Sequence, residues 1–186
     1  MRSTGRLRAD SGEQVSIFTE IVLSDLEKYR QVEPDKPEAG GILLGTLSSN
    51  YSTMFVENIS HPLDTDKRER YKFFRSKKHN TIAEHYWRSR NKTGTYHGLW
   101  HTHPEPIPSP SSVDLVDWGK ALKTDHYYSN RLIFVIVGWR VLSLWSGSMK
   151  QGIQPIGLLY WEDMHVENNN SNRNQARSLD SCSWTM

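Results

Sequence analysis

One short stretch of the sequence, GLWHTHPEPIPSPSSVDLVDW at 98–118, concentrates side chains that can hold a metal ion. His101 and His103 flank a single threonine, and Ser111 and Asp114 follow after a run broken by prolines. Imidazole nitrogens and carboxylate oxygens are zinc ligands, and three protein ligands with an open fourth position are typical of a catalytic zinc site. The stretch therefore predicts a catalytic zinc held by His101, His103 and Asp114.

The two histidines are predicted to lie on a strand, because 93–103 alternates in the manner of a strand. Residues two apart on one face of a strand are separated by about 7 Å, so both imidazoles can reach one metal. The same alternation places His97 on the face of His101. His97 is four residues away, which is too far for the same metal, and we expect it to be a bystander. A His-x-His pair on a strand also occurs without any metal.

The carboxylate belongs to a predicted helix from Ser111 to about Lys123, which begins where four prolines end the strand. At about 100° per residue, Asp114 lies at the edge of the apolar stripe of this helix, whereas Asp117 faces solvent. The stripe consists of Leu115, Trp118 and Leu122. A carboxylate beside a buried stripe needs a partner, which a metal would supply. The alternative is that Ser111 and Asp114 only form a capping box at the start of the helix.

Hydrolysis at a zinc also needs a base that is not itself a ligand. Glu38 is the candidate, because it precedes the glycines of AGGILLG, where the backbone can approach other groups closely. The alternative for this residue is an ordinary exposed acid in a loop. The spacing leaves three other glutamates open as the base: Glu33, Glu57 and Glu105.

Around these residues the periodicity predicts helices interspersed with strands. The predicted helices cover 16–31, 77–91 and the segment after Ser111. The predicted strands cover 39–47, 51–60, the vicinity of Arg70 to Arg75, 93–103, 131–139, 141–147 and 153–161. A mainly antiparallel run of strands with helices between them indicates the α+β class. Trp100 and Trp118 fit core packing better than base stacking.

The chain has 186 residues, a formal net charge of +2 and a single cysteine, Cys182. The length suits one domain, the small net charge does not indicate a nucleic-acid partner, and one cysteine excludes a disulfide framework. No apolar run approaches the length of a membrane span. We therefore expect a cytoplasmic protein with a flexible N-terminus at 1–13, a domain at 14–162 and a polar, disordered tail at 163–186.

The full pattern resembles the JAMM/MPN+ zinc metalloprotease family. Glu38 precedes GGILLG, and His101-Thr-His103-Pro is followed after seven residues by Ser111-Ser-Val-Asp114. The resemblance implies a single JAB/MPN-type domain, cytidine-deaminase-like, with a mainly antiparallel sheet flanked by helices. It makes His101, His103 and Asp114 the ligands of one Zn²⁺ with a catalytic water. It also makes Glu38 the general base and later proton donor, and Ser111 the hydrogen-bond donor that steadies the oxyanion.

The stretch at 98–118 is most similar to bacterial JAB-type isopeptidases of CBASS antiphage operons and related ubiquitin-like conjugation operons. This resemblance implies cleavage after the C-terminus of a ubiquitin-like protein or of a conjugated bacterial protein, with a cGAS/DncV-like nucleotidyltransferase as one candidate. Two alternatives stay open: a non-catalytic MPN binding module, and a JAMM peptidase that processes a small sulfur-carrier protein. The basic segment at 64–78 is either a substrate-contacting insertion suited to an acidic partner surface or a solvated loop.

Overall fold

The computed structural model describes residues 6–10 and 15–163. The strands in this part of the chain are β1 Arg6–Asp10, β2 Val15–Thr19, β3 Gly40–Leu47, β4 Thr53–Ile59, β5 Lys67–Glu69, β6 Lys72–Phe74, β7 Thr95–Thr102, β8 Leu132–Val137, β9 Val141–Ser148 and β10 Gly152–Tyr160. The helices are α1 Glu20–Glu27, α2 Lys78–Ser89 and α3 Ser112–Thr124. No helix within the described residues is long and apolar enough to span a membrane.

Eight of the strands form one sheet in the order β1-β2-β4-β3-β7-β8-β9-β10. Neighbouring strands run antiparallel except for the parallel pairs β2–β4 and β7–β8. Strands β5 and β6 form a separate antiparallel hairpin. This mainly antiparallel sheet with helices confirms the predicted α+β class. Because β3 and β7 are antiparallel neighbours, the start of β3 lies beside the end of β7, where Gly40 pairs with His101.

Two hydrophobic clusters pack on opposite faces of the sheet, because side chains alternate along the buried strands. The first cluster contains α1 residues and Trp100. The second packs against α2 and α3, and in it the rings of Trp118 and Phe134 stack 4.6 Å apart at an angle of 7°. Trp100 and Trp118 are each 1% exposed, which confirms that both belong to the core.

The buried face of α3 differs from the predicted stripe. Trp118 and Leu122 are buried as expected, together with Ala121. Leu115, however, is 45% exposed, so its assignment to the buried stripe was wrong. Leu115 is exposed because the first turn of α3 lies beyond the second cluster, in which Trp118 is the first residue of this helix. Asp117 is exposed, as predicted.

The helix predicted over 16–31 is a strand followed by a shorter helix. Residues Val15–Thr19 form β2, which pairs in parallel with β4. Its burial alternates residue by residue, and Phe18 is fully buried. Branched and aromatic side chains favour a strand over these positions. The helix then begins after Thr19, whose hydroxyl accepts a hydrogen bond from the Val22 N–H at 3.4 Å.

Two charged segments also depart from the prediction. Arg6–Asp10 forms the edge strand β1 on β2, so part of the segment 1–13 that we expected to be flexible is a strand. The single strand predicted near Arg70 to Arg75 is instead the hairpin of β5 and β6, because a turn at residues 70 and 71 divides it. The predicted tail lies outside the described residues from 164 onward.

An irregularity in β7 separates His97 from the two histidines of the predicted zinc site. Leu43 pairs with Gly98 and Leu44 pairs with Tyr96, so His97 is an extra residue in the ladder. Gly98 has a φ of 143°, and a Cβ there would overlap the carbonyl of Ile133. The expectation that His97 shares a face with His101 was therefore wrong, because alternation does not continue through a bulge.

Buried His97 is expected to make the fold sensitive to acid. Burial lowers the pKa of His97 from 6.5 to about 4, although the Thr46 carbonyl, 3.1 Å from Nε2, partly opposes this shift. Between about pH 4 and pH 6.5, His97 therefore carries a proton in the unfolded chain but not in the folded chain. The contribution of His97 to stability is complete above pH 6.5 and falls by about 3 kcal/mol as the pH drops to 4, since each pKa unit is worth about 1.4 kcal/mol.

The measurement is urea unfolding of the wild type and of His97→Gln at pH 7 and near pH 4, with chelator present so that no metal contributes. Glutamine is neutral throughout and can still donate to the Thr46 carbonyl. The wild type should lose about 3 kcal/mol more than the variant over this interval. Equal losses would show that His97 is not responsible for the acid sensitivity.

Candidate metal centre

The end of β7 and the start of α3 bring three potential ligands together. His101 Nε2 lies 3.1 Å from His103 Nε2 and 3.2 Å from Asp114 Oδ1, and His103 Nε2 lies 3.4 Å from Asp114 Oδ2. Ligands at zinc bond lengths of about 2.0–2.1 Å in a tetrahedron are about 3.3 Å apart. The three side chains therefore already have the mutual spacing of zinc ligands, and both histidines are buried.

A capping box at the start of α3 orients the Asp114 carboxylate. The Ser111 hydroxyl and the Ser111 N–H both donate to Asp114 Oδ2, at 2.6 Å and 2.7 Å, and the Asp114 N–H donates to Ser111 Oγ at 3.2 Å. The carboxylate that closes the capping box is therefore the same one that lies within ligand distance of both histidines, so the two alternatives from the sequence are compatible. The reciprocal bonds stabilise the helix end, and the two that end on Oδ2 also restrict the carboxylate to the orientation that faces His101 and His103.

The charges at this centre favour an ionised Asp114. Burial by itself raises the pKa of Asp114, but hydrogen bonds from His101, His103 and Ser111 outweigh it and hold that pKa well below its ordinary value. Burial likewise lowers the pKa of His103, and Asp114 and Glu38 reverse this and raise it. Carboxylate oxygens and imidazole nitrogens that converge in this way are donors suited to a cation, which is consistent with a metal site.

Glu38 lies next to this group at the end of the loop that precedes β3. Its side chain is buried, and burial raises its pKa to about 7; the neighbouring His103 lowers this pKa, whereas Asp114 and Glu105 raise it. Because Gly40 pairs with His101 and the Thr102 N–H donates to the Ala39 carbonyl, the backbone of Glu38 lies beside the end of β7, next to both histidines. A carboxyl group with a pKa near neutrality can both accept and return a proton at physiological pH.

The other glutamates have surroundings less suited to a base. The side chain of Glu33 is 62% exposed and pairs with Lys36. Glu57 accepts a hydrogen bond from Tyr86 at 3.3 Å in a different part of the sheet. Glu105 is near enough to influence Glu38, but it is exposed in the proline-rich loop. Of the four glutamates, Glu38 alone is buried.

Thr102, which separates the two histidines, joins the start of β3 to the end of β7. Its N–H donates to the Ala39 carbonyl at 2.8 Å, and its hydroxyl accepts from the Ala39 N–H at 3.0 Å. The hydroxyl then donates to Gln31 Oε1 at 2.8 Å. Thr102 therefore fixes the backbone beside Glu38 relative to both histidines. Nothing in the sequence distinguishes Gln31 from other polar loop residues, so this connection was not predicted.

Comparison with known proteins identifies the family. Residues 21–148 match the model of a family described as prokaryotic homologs of the JAB domain. This chain belongs to that family. The match extends from the start of α1 to the end of β9, so this JAB domain includes His101, His103, Asp114 and Glu38. The family resemblance inferred from the sequence is thereby confirmed.

Curated relatives of this JAB-domain chain cover most of its length. A Pseudomonas aeruginosa protein named CD-NTase/cGAS isopeptidase is 33% identical over 135 residues, which are 72% of this chain and 84% of that protein. A Vibrio cholerae protein of the same name is 30% identical over 144 residues, which are 76% and 86% of the two chains. A solved Desulfitobacterium hafniense structure has a TM-score of 0.53 at 18% identity, covers 75% of this chain and 88% of its own, and shows a similar fold.

Proposed function

We propose that this JAB-domain protein is a zinc-dependent isopeptidase that hydrolyses the amide bond joining a conjugated protein to its target. The observation that carries the proposal is the group of three ligand side chains, whose donor atoms are 3.1–3.4 Å apart, with the buried carboxyl of Glu38 beside it. A metal-binding group without a nearby base would suit a binding module. The combination of both suits hydrolysis.

The donor set fits zinc. Two imidazole nitrogens and one carboxylate oxygen are ligands that zinc accepts in catalytic sites, where a fourth position remains for water or substrate. His101 and His103 would bind it through Nε2 and Asp114 through a carboxylate oxygen. When bound, zinc lowers the pKa of its water towards about 7 and polarises the scissile carbonyl.

Glu38, before β3, and Ser111, the N-cap of α3, are proposed to act on the substrate from two separate parts of the chain. Glu38 would accept the proton from water and deliver it to the leaving lysine amine. The Ser111 hydroxyl would donate to the oxyanion that develops on the scissile carbonyl. In this structure that hydroxyl donates to Asp114 Oδ2, so it must turn towards the substrate for this second role. The Ser111 N–H, which also donates to Asp114, can hold the carboxylate meanwhile.

The proposed substrate is a conjugate in which the C-terminus of a cGAS-like nucleotidyltransferase is joined to another protein. The proposed location of the enzyme is the cytoplasm. The support is the name that the Pseudomonas aeruginosa and Vibrio cholerae relatives share. Apolar side chains exposed beside Asp114 can contact such a substrate: Val113, Leu115 and Val116. A substrate tail cannot pair with β7 itself, because β3 and β8 already flank that strand. The hairpin of β5 and β6 offers another edge.

The test combines zinc content with cleavage of two probes. One probe is a cGAS-like nucleotidyltransferase whose C-terminus is fused to a fluorescent protein. In the other, the lysine-linked probe, the C-terminal carboxyl of the same tail is joined to the ε-amine of a lysine on a reporter. About one zinc per chain and release of the lysine-linked reporter, both abolished by chelator, are expected. A probe with a scrambled tail should stay intact. Zinc without cleavage of either probe would contradict the isopeptidase function, and cleavage that resists chelation would contradict zinc dependence.

A further inference from the structure

The hairpin of β5 and β6 bonds the backbone of Glu38 on both sides. The Glu38 N–H donates to the Glu69 carbonyl at 2.8 Å, and Arg68 Nε donates to the Glu38 carbonyl at 2.7 Å. Glu38 itself belongs to neither a helix nor a strand. The hairpin therefore supplies the hydrogen bonds that a sheet ladder would otherwise provide at this residue.

The loop leading to Glu38 is bonded to the same hairpin. Arg70 Nη1 donates to the Glu33 carbonyl at 2.7 Å, and Gln31 Nε2 donates to the Arg70 carbonyl at 2.9 Å. The ring of Phe73 lies so close to Gly40 that a Cβ there would overlap it. Both the loop before Glu38 and the strand after it thus contact the hairpin, so this mostly exposed segment is an ordered hairpin bonded to the site rather than an irregular loop.

A buried Asp66–His79–Ser60 chain anchors the hairpin to the sheet. Asp66 Oδ2 is 3.0 Å from His79 Nε2, and Ser60 Oγ is 2.7 Å from His79 Nδ1. Ionised Asp66 only accepts, so the His79 Nε2–H donates to it, and the second ring nitrogen is hydrogen-bonded to the Ser60 hydroxyl. Ser60 Oγ also accepts from the Ile42 N–H at 2.8 Å, inside β3. The chain has the order of a serine-hydrolase triad, but its buried serine has no access to a substrate.

Asp66 also closes the two ends of the hairpin segment. Its carboxylate accepts from the Leu63 N–H at 2.7 Å and from the Ser76 N–H at 2.8 Å, on either side of β5 and β6. Burial raises the pKa of Asp66, but these backbone hydrogen bonds and the bond with His79 lower it overall. The hairpin is therefore held at its base by a buried carboxylate, while its far side holds Glu38.

We infer that this hairpin is a positioning element for the base and that Arg68 is the positioning residue through which it acts. The inference rests on the proposed function, because it assigns Glu38 the role of base. A displacement of about 1 Å in a reacting group can cost roughly a hundredfold in rate. Arg68 suits the task because its planar guanidinium directs Nε at one carbonyl, whereas a lysine ammonium is a flexible point charge.

The test compares Arg68→Met with Lys67→Met, which removes the neighbouring exposed cation of the same strand. Each full-length protein is loaded with zinc and assayed on the lysine-linked probe. Arg68→Met should lower kcat about ten- to a hundredfold with KM within about twofold, and zinc content should match the wild type. Lys67→Met should behave as the wild type, and Arg68→Lys should recover part of kcat because it retains a donor.

Hydrogen exchange at the Glu38 amide provides a readout that does not depend on activity. Exchange should be about tenfold faster in Arg68→Met than in Lys67→Met, because the bond to Glu69 opens more often. Equal exchange and equal kcat in these two variants would overturn the inference, and so would a raised KM with unchanged kcat, which would make Arg68 a substrate contact. If the wild type leaves the probe intact, the proposed function fails, and the exchange comparison alone decides whether Arg68 holds Glu38.

Discussion

Replacing Glu38 by glutamine is expected to lower the cleavage rate at least about a hundredfold while zinc remains bound, since general base catalysis typically contributes about 10²–10⁴. Glutamine has nearly the shape of glutamate, but its amide cannot accept the proton from water. The three donor atoms of the metal centre come from other residues, so zinc content should be unchanged. Single-turnover cleavage of the lysine-linked probe measures the rate, and elemental analysis measures the metal.

Glu33→Gln is the matched control, because Glu33 belongs to the same loop and its side chain is 62% exposed. This variant should cleave at the wild-type rate. Loss of zinc in Glu38→Gln would make Glu38 a ligand and place the assignment of Asp114 in doubt. An unchanged rate would transfer the role of base to another group, and Glu105, which is close enough to raise the pKa of Glu38, would be tested next.

The same residue predicts a pH dependence. Burial raises the pKa of Glu38 to about 7. A base works only when it is deprotonated, so the rate should increase with pH on the acid side of its profile. A bound cation favours the carboxylate and brings the midpoint of this limb to 7 or below. In Glu38→Gln this limb should disappear from the residual activity, because glutamine does not titrate.

The ligand group could be predicted from the sequence because it is local. His101, His103 and Asp114 lie within fourteen residues of one another, and one strand end followed by one helix start determines their arrangement. Helical periodicity placed Asp114 correctly at the edge of the buried face, even though Leu115 proved exposed. Short-range geometry is thus enough to suggest the metal centre, and the structure brings these three side chains together.

Glu38 and its supports depend on long-range contacts that periodicity does not encode. The start of β3 reaches the metal centre only because Gly40 pairs with His101 across the sheet. The role of Glu38 therefore rested on the family resemblance more than on spacing. Arg68 and Gln31 carry no periodic signal, because their side chains donate to the carbonyls of Glu38 and Arg70, which are distant in the sequence and lie outside helices and strands.

The errors in the fold also have physical causes. β2 looked helical because Ile17 and Ile21 are four residues apart, which continues the helical spacing of α1 across the boundary that Thr19, the N-cap, marks. The bulge at His97 depends on the approach of Gly98 to β8, which a local pattern cannot show. Long buried runs were easier to predict, since β8 lies within the strand predicted at 131–139 and β9 extends only one residue beyond the strand predicted at 141–147.

Replacing His103 by alanine is expected to abolish both zinc binding and cleavage. Only two of the three protein ligands would remain. Loss of a residue that merely hydrogen-bonds to a ligand already lowers metal affinity about 10–100-fold, so the loss of a ligand should lower it further. Cleavage should fall to background, because neither the water nor the carbonyl would then be activated. Elemental analysis after dialysis and cleavage of the lysine-linked probe test this result. His126→Ala, which removes an exposed histidine beyond the end of α3, should retain both properties.

Thermal unfolding distinguishes a metal centre from a purely structural polar cluster. A ligand at a thousandfold excess over its Kd stabilises a folded protein by about 4 kcal/mol, so zinc should raise the melting temperature of the wild type and of His126→Ala but not of His103→Ala. In chelator, by contrast, the melting temperature of His103→Ala should differ from that of the wild type only by the contribution of the lost imidazole. A wild type that neither contains zinc nor responds to it would show that the close contacts of His101, His103 and Asp114 serve hydrogen bonding and helix capping, and the proposed hydrolysis would lose its basis.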